Sequence, residues 1–471
     1  MTLTERQRSL AIAVVGAALV LEIMDGSIIN VAIPHLQESL GASGTQIGWV
    51  SAGYAFFFAA LLIAGGRLGD IFGYRRLFMT GMALFGLASA GCGLAPTAGV
   101  LIAMRVAQGA AAAMMGPQVL SIVQVLYAPH ERFKVMGIFG LIGGAAGLLG
   151  PIIGGVLIRL DLFGLGWRPI FLINVPVVAV ALLLAWRVLP RGGSAEARGI
   201  DAAGLALALP GLAALLLPLI EGARLGWPGW LRLMPLVAAL LLAACWRHLR
   251  RRAARGAPVL VPPALFSDRL LLTGLAMALV YTAGTGSLLL AASVALQRGL
   301  GLSALQTALI HIPFALGAAL SIAALGRRLL PVLGRRMMLI GVAGQITGLA
   351  LLALGLGAGD LLRIGAGFAL CGLGMGLISA PLPAFCLVRV PRAQAGAASG
   401  LFTTAQQLGM ALGVAVLGSW FLTATEAGTA PAAAFARLAL IQAGMLLVIA
   451  ALSRLIPTDA HVAATRAPSQ K

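Results

Sequence analysis

The sequence predicts an all-α polytopic membrane protein of 14 transmembrane helices, with both termini in the cytoplasm. Three observations lead there. The 471-residue chain is 60% hydrophobic and only 10% charged, with a mean hydropathy of +1.00, whereas soluble domains carry about 25% charged residues. Apolar runs of roughly 20 residues, each able to cross a ~30 Å hydrocarbon layer, recur from end to end. The basic residues gather in alternate short loops. With the N-terminus inside, 25 of the 33 Lys and Arg fall on the cytoplasmic side, seven fall outside and Arg105 lies within a run, which is the positive-inside pattern. That pattern accounts for the formal net charge of +19 with no nucleic-acid partner. The runs lack the in–out alternation of a membrane β-barrel.

In chain order, the first six runs are 10–33, 46–66, 77–95, 98–126, 135–158 and 169–189. The first carries Glu22 and Asp25 and is too long and acidic for a cleavable leader, so it reads as a retained span. Runs seven and eight, 200–220 and 229–246, precede the Arg-rich stretch 247–268, the main cytoplasmic linker. The last six are 269–292, 303–325, 336–356, 360–383, 396–422 and 433–456. The polar tail 457–471 reads as disordered. "GRLGDIFGYRR" (66–76) after the second run repeats as "GRRLLPVLGRR" (326–336) after the tenth, with Pro331 opposite Asp70. The expected organisation is therefore a six-helix half at 1–190, two inserted helices and the linker at 191–268, a second six-helix half at 269–456 and the tail. Paired halves are a common plan of secondary transporters. All seven Trp fall at run ends or in short loops, as an interfacial belt requires. Cys92, Cys245, Cys371 and Cys386 form no CxxC pair and read as small packing residues.

Other machines are excluded. The two lysines, Lys134 and Lys471, sit in no P-loop frame, and no soluble segment is long enough for a nucleotide-binding domain. There is no HExxH zinc site and no selectivity-filter sequence. A secondary transporter remains, not an enzyme, with no cofactor and no metal.

Charged groups inside apolar runs are costly unless used. Glu22 and Asp25, three apart, share a helix face, and Arg105 in the fourth run falls at a comparable depth at ~1.5 Å per residue. Two carboxylates and one guanidinium leave at least one acid without its own cation, the requirement for a proton carrier; the alternative is a structural pair. Asn30, Gln108, His311, Gln345 and Gln406 are candidate polar groups of a substrate cavity, with interhelical bonding as the alternative. His311, inside the tenth run, either carries a proton or bonds a neighbouring carbonyl.

Several stretches resemble one family. "GRLGDIFGYRR" looks like the loop signature between spans two and three of the major facilitator superfamily. "RVAQGAAAAMMGP" from Arg105 resembles its span-four motif, and "GLLGPIIGG" (147–155) its span-five antiporter motif. "MDGSIINVAIP" (24–34), "WRPIFLINVP" (167–176) and "AGAASGLFTTAQQLGMALGVAVLG" (395–418) resemble segments of the fourteen-span drug:proton antiporter branch. The likeness covers nearly the whole chain in the right order. It implies the major facilitator fold and alternating access. The implied activity is proton-coupled export of lipophilic drugs or antibiotics, cationic ones included, across the bacterial inner membrane. It casts Asp70 as a conformational latch with Gly66, Gly73, Arg75 and Arg76, where charge balance of a basic loop is the plainer reading. Gly147, Gly150, Pro151, Gly154 and Gly155 become a hinge or a close-packing face. The second loop signature departs at Pro331 and the thirteenth span at Thr403 and Gln406. Expected partners are a small lipophilic substrate, protons and the lipid bilayer. A periplasmic adaptor stays open with no residue to support it. An importer or uniporter on the same fold, and a transport-dead sensor or scaffold, stand as alternative functions.

Overall fold

The computed structural model describes residues 5–127, 129–190, 201–257, 259–322, 332–390 and 395–456. Every regular element among them is helical. The expected disordered tail lies outside the described residues, as does Pro331. The chain divides into two compact units, Met1–Leu260 and Val261–Lys471.

In the first unit, α1 (Glu5–Leu40) packs along α5 (Pro129–Leu160), while α2 (Gly44–Phe72) and α3 (Tyr74–Gly93) both pack on α4 (Ala98–Leu126). Local chemistry sets the joints. Gly41, at φ +61°, turns the chain after α1. Ser43 then opens α2 with a capping box in which its hydroxyl accepts from Gln46 N–H and its own N–H donates to Gln46, satisfying two donors the first turn leaves unpaired. Gly73 alone separates α2 from α3, at φ +91°, which a side chain would strain. The short α6 (Pro169–Leu172) breaks from α7 (Asn174–Val188) at Ile173, because Pro176 has no N–H to return to Leu172.

Glycines let these helices touch. A Cβ on Gly65 would stand 1.9 Å from Ala113 O, and one on Gly109 would stand 2.3 Å from Tyr54 O. Gly150 and Gly154 of α5 meet Ser27 and Ile28 of α1 at 2.2 and 2.7 Å in the same sense. α5 continues through Pro151. In the loop signature Gly65 and Gly69 are the crowded positions, while a Cβ on Gly66 would find ordinary contact, 3.7 Å from Pro117.

The inserted helices α8 (Ala202–Leu225) and α9 (Gly229–Ala254) pack on each other, and α8 touches α2. Asp201 caps α8: it accepts from Gly204 N–H at 3.0 Å and Leu260 N–H at 3.3 Å, and His248 Nε2 lies 2.7 Å away. Burial alone would push the Asp201 carboxyl up, but the bond to His248 and the two backbone bonds outweigh it and hold it below the ordinary carboxylate range. One acid thus ties both inserted helices to the linker.

In the second unit, α10 (Arg269–Val294) runs on through a π-turn at Ala295–Gly299. α11 (Ala304–Ile310) and α12 (Ile312–Leu320) break at His311, ahead of Pro313. Then come α13 (Arg336–Ala358), α14 (Leu361–Ser379), the short α15 (Leu382–Leu387) and α16 (Ala395–Leu412). A π-turn at Gly413–Gly418, α17 (Ser419–Glu426) and α18 (Pro431–Ser453) complete it. This unit repeats several joints of the first. Gly301 (φ +68°) and the Ser303–Gln306 capping box match Gly41 and Ser43–Gln46. Gly372 against Phe314 O, at 1.9 Å, matches Gly109 against Tyr54 O. Gly341 against Gly374 O and Gly81 against Ala111 O are both at 2.9 Å.

Among the described residues, 11 helices are long and apolar enough to cross a membrane, and Ala145–Leu160 and Ala304–Leu320 are shorter apolar helices.

Candidate functional site

α1 buries a stripe through Val14, Ala18, Leu21, Met24, Asp25, Ile28 and Ala32, the spacing of one helical face. Asp25 falls within that stripe, fully buried, and Glu22 falls at its flank. Two helices, α4 and α7, supply the partners of Asp25, and α2 and α3 hold those partners in turn. Arg105 of α4 donates to Asp25 Oδ2. Gln108 Nε2 and Asn174 Nδ2 donate to Asp25 Oδ1 at 2.9 and 3.1 Å. Arg105 also donates to Gln108 Oε1 at 2.8 Å and, through Nε, to Val50 O of α2 at 3.0 Å. Ser89 of α3 accepts from Gln108 at 3.3 Å and from Asn174 at 2.9 Å, and donates to Phe171 O at 3.0 Å. The guanidinium lies 4.4 Å above the Tyr54 ring, a cation–π distance. Asp25, Ser89, Arg105, Gln108 and Asn174 are each at most 1% exposed.

Glu22 is not part of this core. Among the described residues Arg105 pairs with Asp25 and with no other acid, so Glu22, which leaves the buried stripe one turn earlier, is the acid left without its own cation. A Cβ on Gly116 would stand 3.5 Å from Glu22 Oε2 and 3.5 Å from the Phe58 ring. Glu22 makes no hydrogen bond or ion pair among the described residues. The site therefore holds one acid satisfied by three donors and a second acid in apolar surroundings.

The other expected residues are spread out. Gln108 belongs to the Asp25 core. Gln345 is buried and donates to Tyr281 Oη at 3.2 Å, while its Oε1 finds no partner among the described residues. It lines a small internal pocket with Tyr281, Thr285 and Gln442. His311 is buried, its Nδ1 2.7 Å from Thr307 O and its ring 4.5 Å from that of Phe368. Asn30 and Gln406 are half-buried, and Gln406 takes a bond from Thr282 Oγ1 at its backbone carbonyl, 2.7 Å. Gly147 meets Ile23 at 3.7 Å and Gly155 is buried. Arg75 donates to Trp186 O near the end of α7, and Arg76 is exposed. The Asp70 carboxylate lies outside the described side chains.

Asn174, Ser89 and Tyr54 were missed by sequence reasoning. Asn174 had a signal, as the one amide in "WRPIFLINVP". Ser89 and Tyr54 had none.

A bundle of apolar helices around one buried, charge-paired polar core defines a multi-pass membrane transporter. The Major Facilitator Superfamily matches residues 15–414. The chain is 37% identical over 423 residues to the probable actinorhodin transporter of Streptomyces coelicolor, covering 88% of this chain and 72% of that one. It is 34% identical over 441 residues to the puromycin resistance protein pur8 of Streptomyces alboniger, covering 90% and 84%. The cephamycin export protein CmcT of Amycolatopsis lactamdurans is 34% identical over 421 residues, with 87% and 83% covered. Among solved structures, a bacterial homologue of the human lysosomal transporter Spinster superposes with TM-score 0.67 at 18% identity, covering 99% of this chain and 100% of that one. An auto-inhibited POT family peptide transporter gives 0.68 at 18%, covering 95% and 97%. The chain belongs to the Major Facilitator Superfamily and is a multi-pass protein of the cell membrane.

Proposed function

We propose that the chain exports lipophilic drugs or antibiotics, cationic ones included, across the bacterial cytoplasmic membrane, driven by protons and by alternating access. The observation that carries the reading is the unequal pair of acids in α1. Asp25, held by Arg105, Gln108 and Asn174, joins α1, α3, α4 and α7 into one body. Glu22, without a partner among the described residues, is the group that takes up and releases the proton, since a carboxyl in apolar surroundings is neutral at little cost and charged only at a large one. A cationic substrate then competes with the proton for the same carboxylate. Relatives named for antibiotic transport, resistance and export support the direction and the substrate class.

The proposal includes 14 spans. The 11 long apolar helices are completed by α3, α5 and the broken α11–α12 pair, and the loop arginines put both termini in the cytoplasm. It also includes the latch: Asp70, one turn before the Gly73 joint, holds one face closed through a helix-end contact.

Purified protein in liposomes, given an imposed pH gradient and a panel of lipophilic cations and neutral antibiotics, tests the reading. Wild type should move a compound against its gradient with protons moving the other way. Glu22→Gln should uncouple the two flows, and Asp70→Asn should lose turnover while keeping compound binding. Movement driven only down the compound's own gradient would make the chain a uniporter.

A further inference from the structure

Inserted helix α9 is the least buried of the 11 long apolar helices among the described residues, and its two sides differ. Leu231, Ala238, Cys245 and Leu249 are buried, at spacings that keep one helical face. That side meets α8, where Cys245 Sγ bonds Gly204 O at 3.5 Å. It ends in His248 and Arg252, which lie 2.7 and 3.9 Å from Asp201 Oδ1. The opposite side carries Leu233, Leu236 and Leu240, which are 59, 58 and 63% exposed. Ala243 and Ala244 follow, then Arg247 and Arg251, all exposed. Steps of three and four residues keep this row in line. Arg250 and Arg255, also exposed, flank its end. No ion pair or side-chain hydrogen bond engages Arg247, Arg250, Arg251 or Arg255 among the described residues.

The row has the profile of one membrane leaflet. From Leu233 to Ala244 the helix rises ~17 Å at ~1.5 Å per residue, close to half of a ~30 Å hydrocarbon core. Arg247 stands about one turn beyond that apolar stretch. The positive-inside rule accounts for basic residues at such a helix end, but it does not require them to line up with the exposed leucines.

We propose that this face of α9 binds an anionic phospholipid. Arg247 and Arg251 hold the headgroup phosphate, Arg250 and Arg255 border it, and an acyl chain lies along Leu240, Leu236 and Leu233. A guanidinium can give two parallel N–H bonds to phosphate oxygens, and basic clusters at the ends of membrane helices attract anionic headgroups. A second copy of the chain seated here would bring its own arginine row to the same depth, like charge against like. A soluble acidic partner would leave the leucines uncovered. Lipid binding is measured without transport, so it stands apart from the exporter reading.

Native mass spectrometry of the full-length protein in non-ionic detergent, titrated with dioleoyl phosphatidylglycerol or dioleoyl phosphatidylcholine, tests it. Both lipids carry a phosphate, but only the first is net negative. Wild type should hold phosphatidylglycerol at least about tenfold more tightly. Arg247→Gln and Arg251→Gln should each weaken it about fivefold, and together they should remove the preference. Arg232→Gln, at the other end of the same helix, should leave the preference unchanged. Leu236→Gln with Leu240→Gln should weaken both lipids without touching the charge, and this pair carries the test if the arginine variants fail to insert. Glycerol 1-phosphate, a phosphate without acyl chains, should not compete in molar excess. Equal binding of the two lipids by wild type, an unchanged preference in the double arginine variant, unchanged binding in the double leucine variant, or full competition by glycerol 1-phosphate would overturn the proposal. So would disulfide-linked dimers of Leu236→Cys in phosphatidylglycerol liposomes, which would assign the face to a second copy.

Discussion

Arg105 is 1% exposed, and its only anionic partner among the described residues is Asp25. Removing one member of a buried pair leaves the other uncompensated, at a cost of about 3–5 kcal/mol. Asp25→Asn and Arg105→Ala should therefore each lower the unfolding temperature of the detergent-solubilised protein sharply, and Asp25→Asn with Arg105→Gln should recover part of the loss. Glu22→Gln removes no ion pair and should leave stability nearly unchanged while flattening the pH dependence of transport. Equal destabilisation by Glu22→Gln would show that Glu22 has a structural partner. Charged residues stand out in apolar runs, so Glu22, Asp25 and Arg105 were legible in the sequence. Their different roles were not, because they depend on which residues of α1 form the buried stripe. Ser89 was invisible for the opposite reason: serines are common in such helices, and only its bonds to Gln108, Asn174 and Phe171 distinguish it.

Between helices, glycine contacts do the positioning. Gly109 and Gly372 each sit against a backbone carbonyl, Tyr54 O at 2.3 Å and Phe314 O at 1.9 Å. Gly109→Ala and Gly372→Ala should each cost about 1–3 kcal/mol through overpacking, read as a drop in unfolding temperature; a neutral result at both would mean the helices separate freely there. Asp201 offers a test in pH. Its carboxyl is held below its ordinary value of 3.8, so its contribution is complete above that value and is lost as the pH falls through the lowered one. Asp201→Ala should cost about 1–2 kcal/mol at neutral pH through the lost cap, and its difference from wild type should shrink below about pH 4. Melting curves across pH 3–7 check this, and a gap that stays constant would refute it. The antiporter segment was legible as a close-packing face, and Gly150 and Gly154 do meet α1. Which glycines of the loop signature are crowded was not legible, because Gly65, Gly66 and Gly69 differ only in angular position around α2.

Across the whole chain, the two units share joints that one sequence repeat only hinted at. "GRLGDIFGYRR" and "GRRLLPVLGRR" are visible as text, but Gly41–Ser43–Gln46 and Gly301–Ser303–Gln306 become equivalent only once both are seen as a left-handed glycine followed by a capping box. Topology is checked by reporter fusions: tags in 191–198 and 250–256 should be cytoplasmic and one in 425–430 external. A tag at 250–256 found outside would end the fourteen-span reading. The pairing of Asp25 with Arg105 has a further, electrical meaning. A bound pair of opposite charges carries no net charge through the membrane field, whereas each unpaired elementary charge does ~2.3 kcal/mol of work per 100 mV. Of the two acids in the middle of α1, Glu22 is then the one whose occupancy the voltage can feel. If a proton and a monovalent cation replace each other on it, their exchange is silent to the membrane potential, while export of a neutral compound against a proton moves one charge. In liposomes clamped with valinomycin, a potassium diffusion potential should leave monocation export unchanged and accelerate or slow that of neutral compounds, according to its sign.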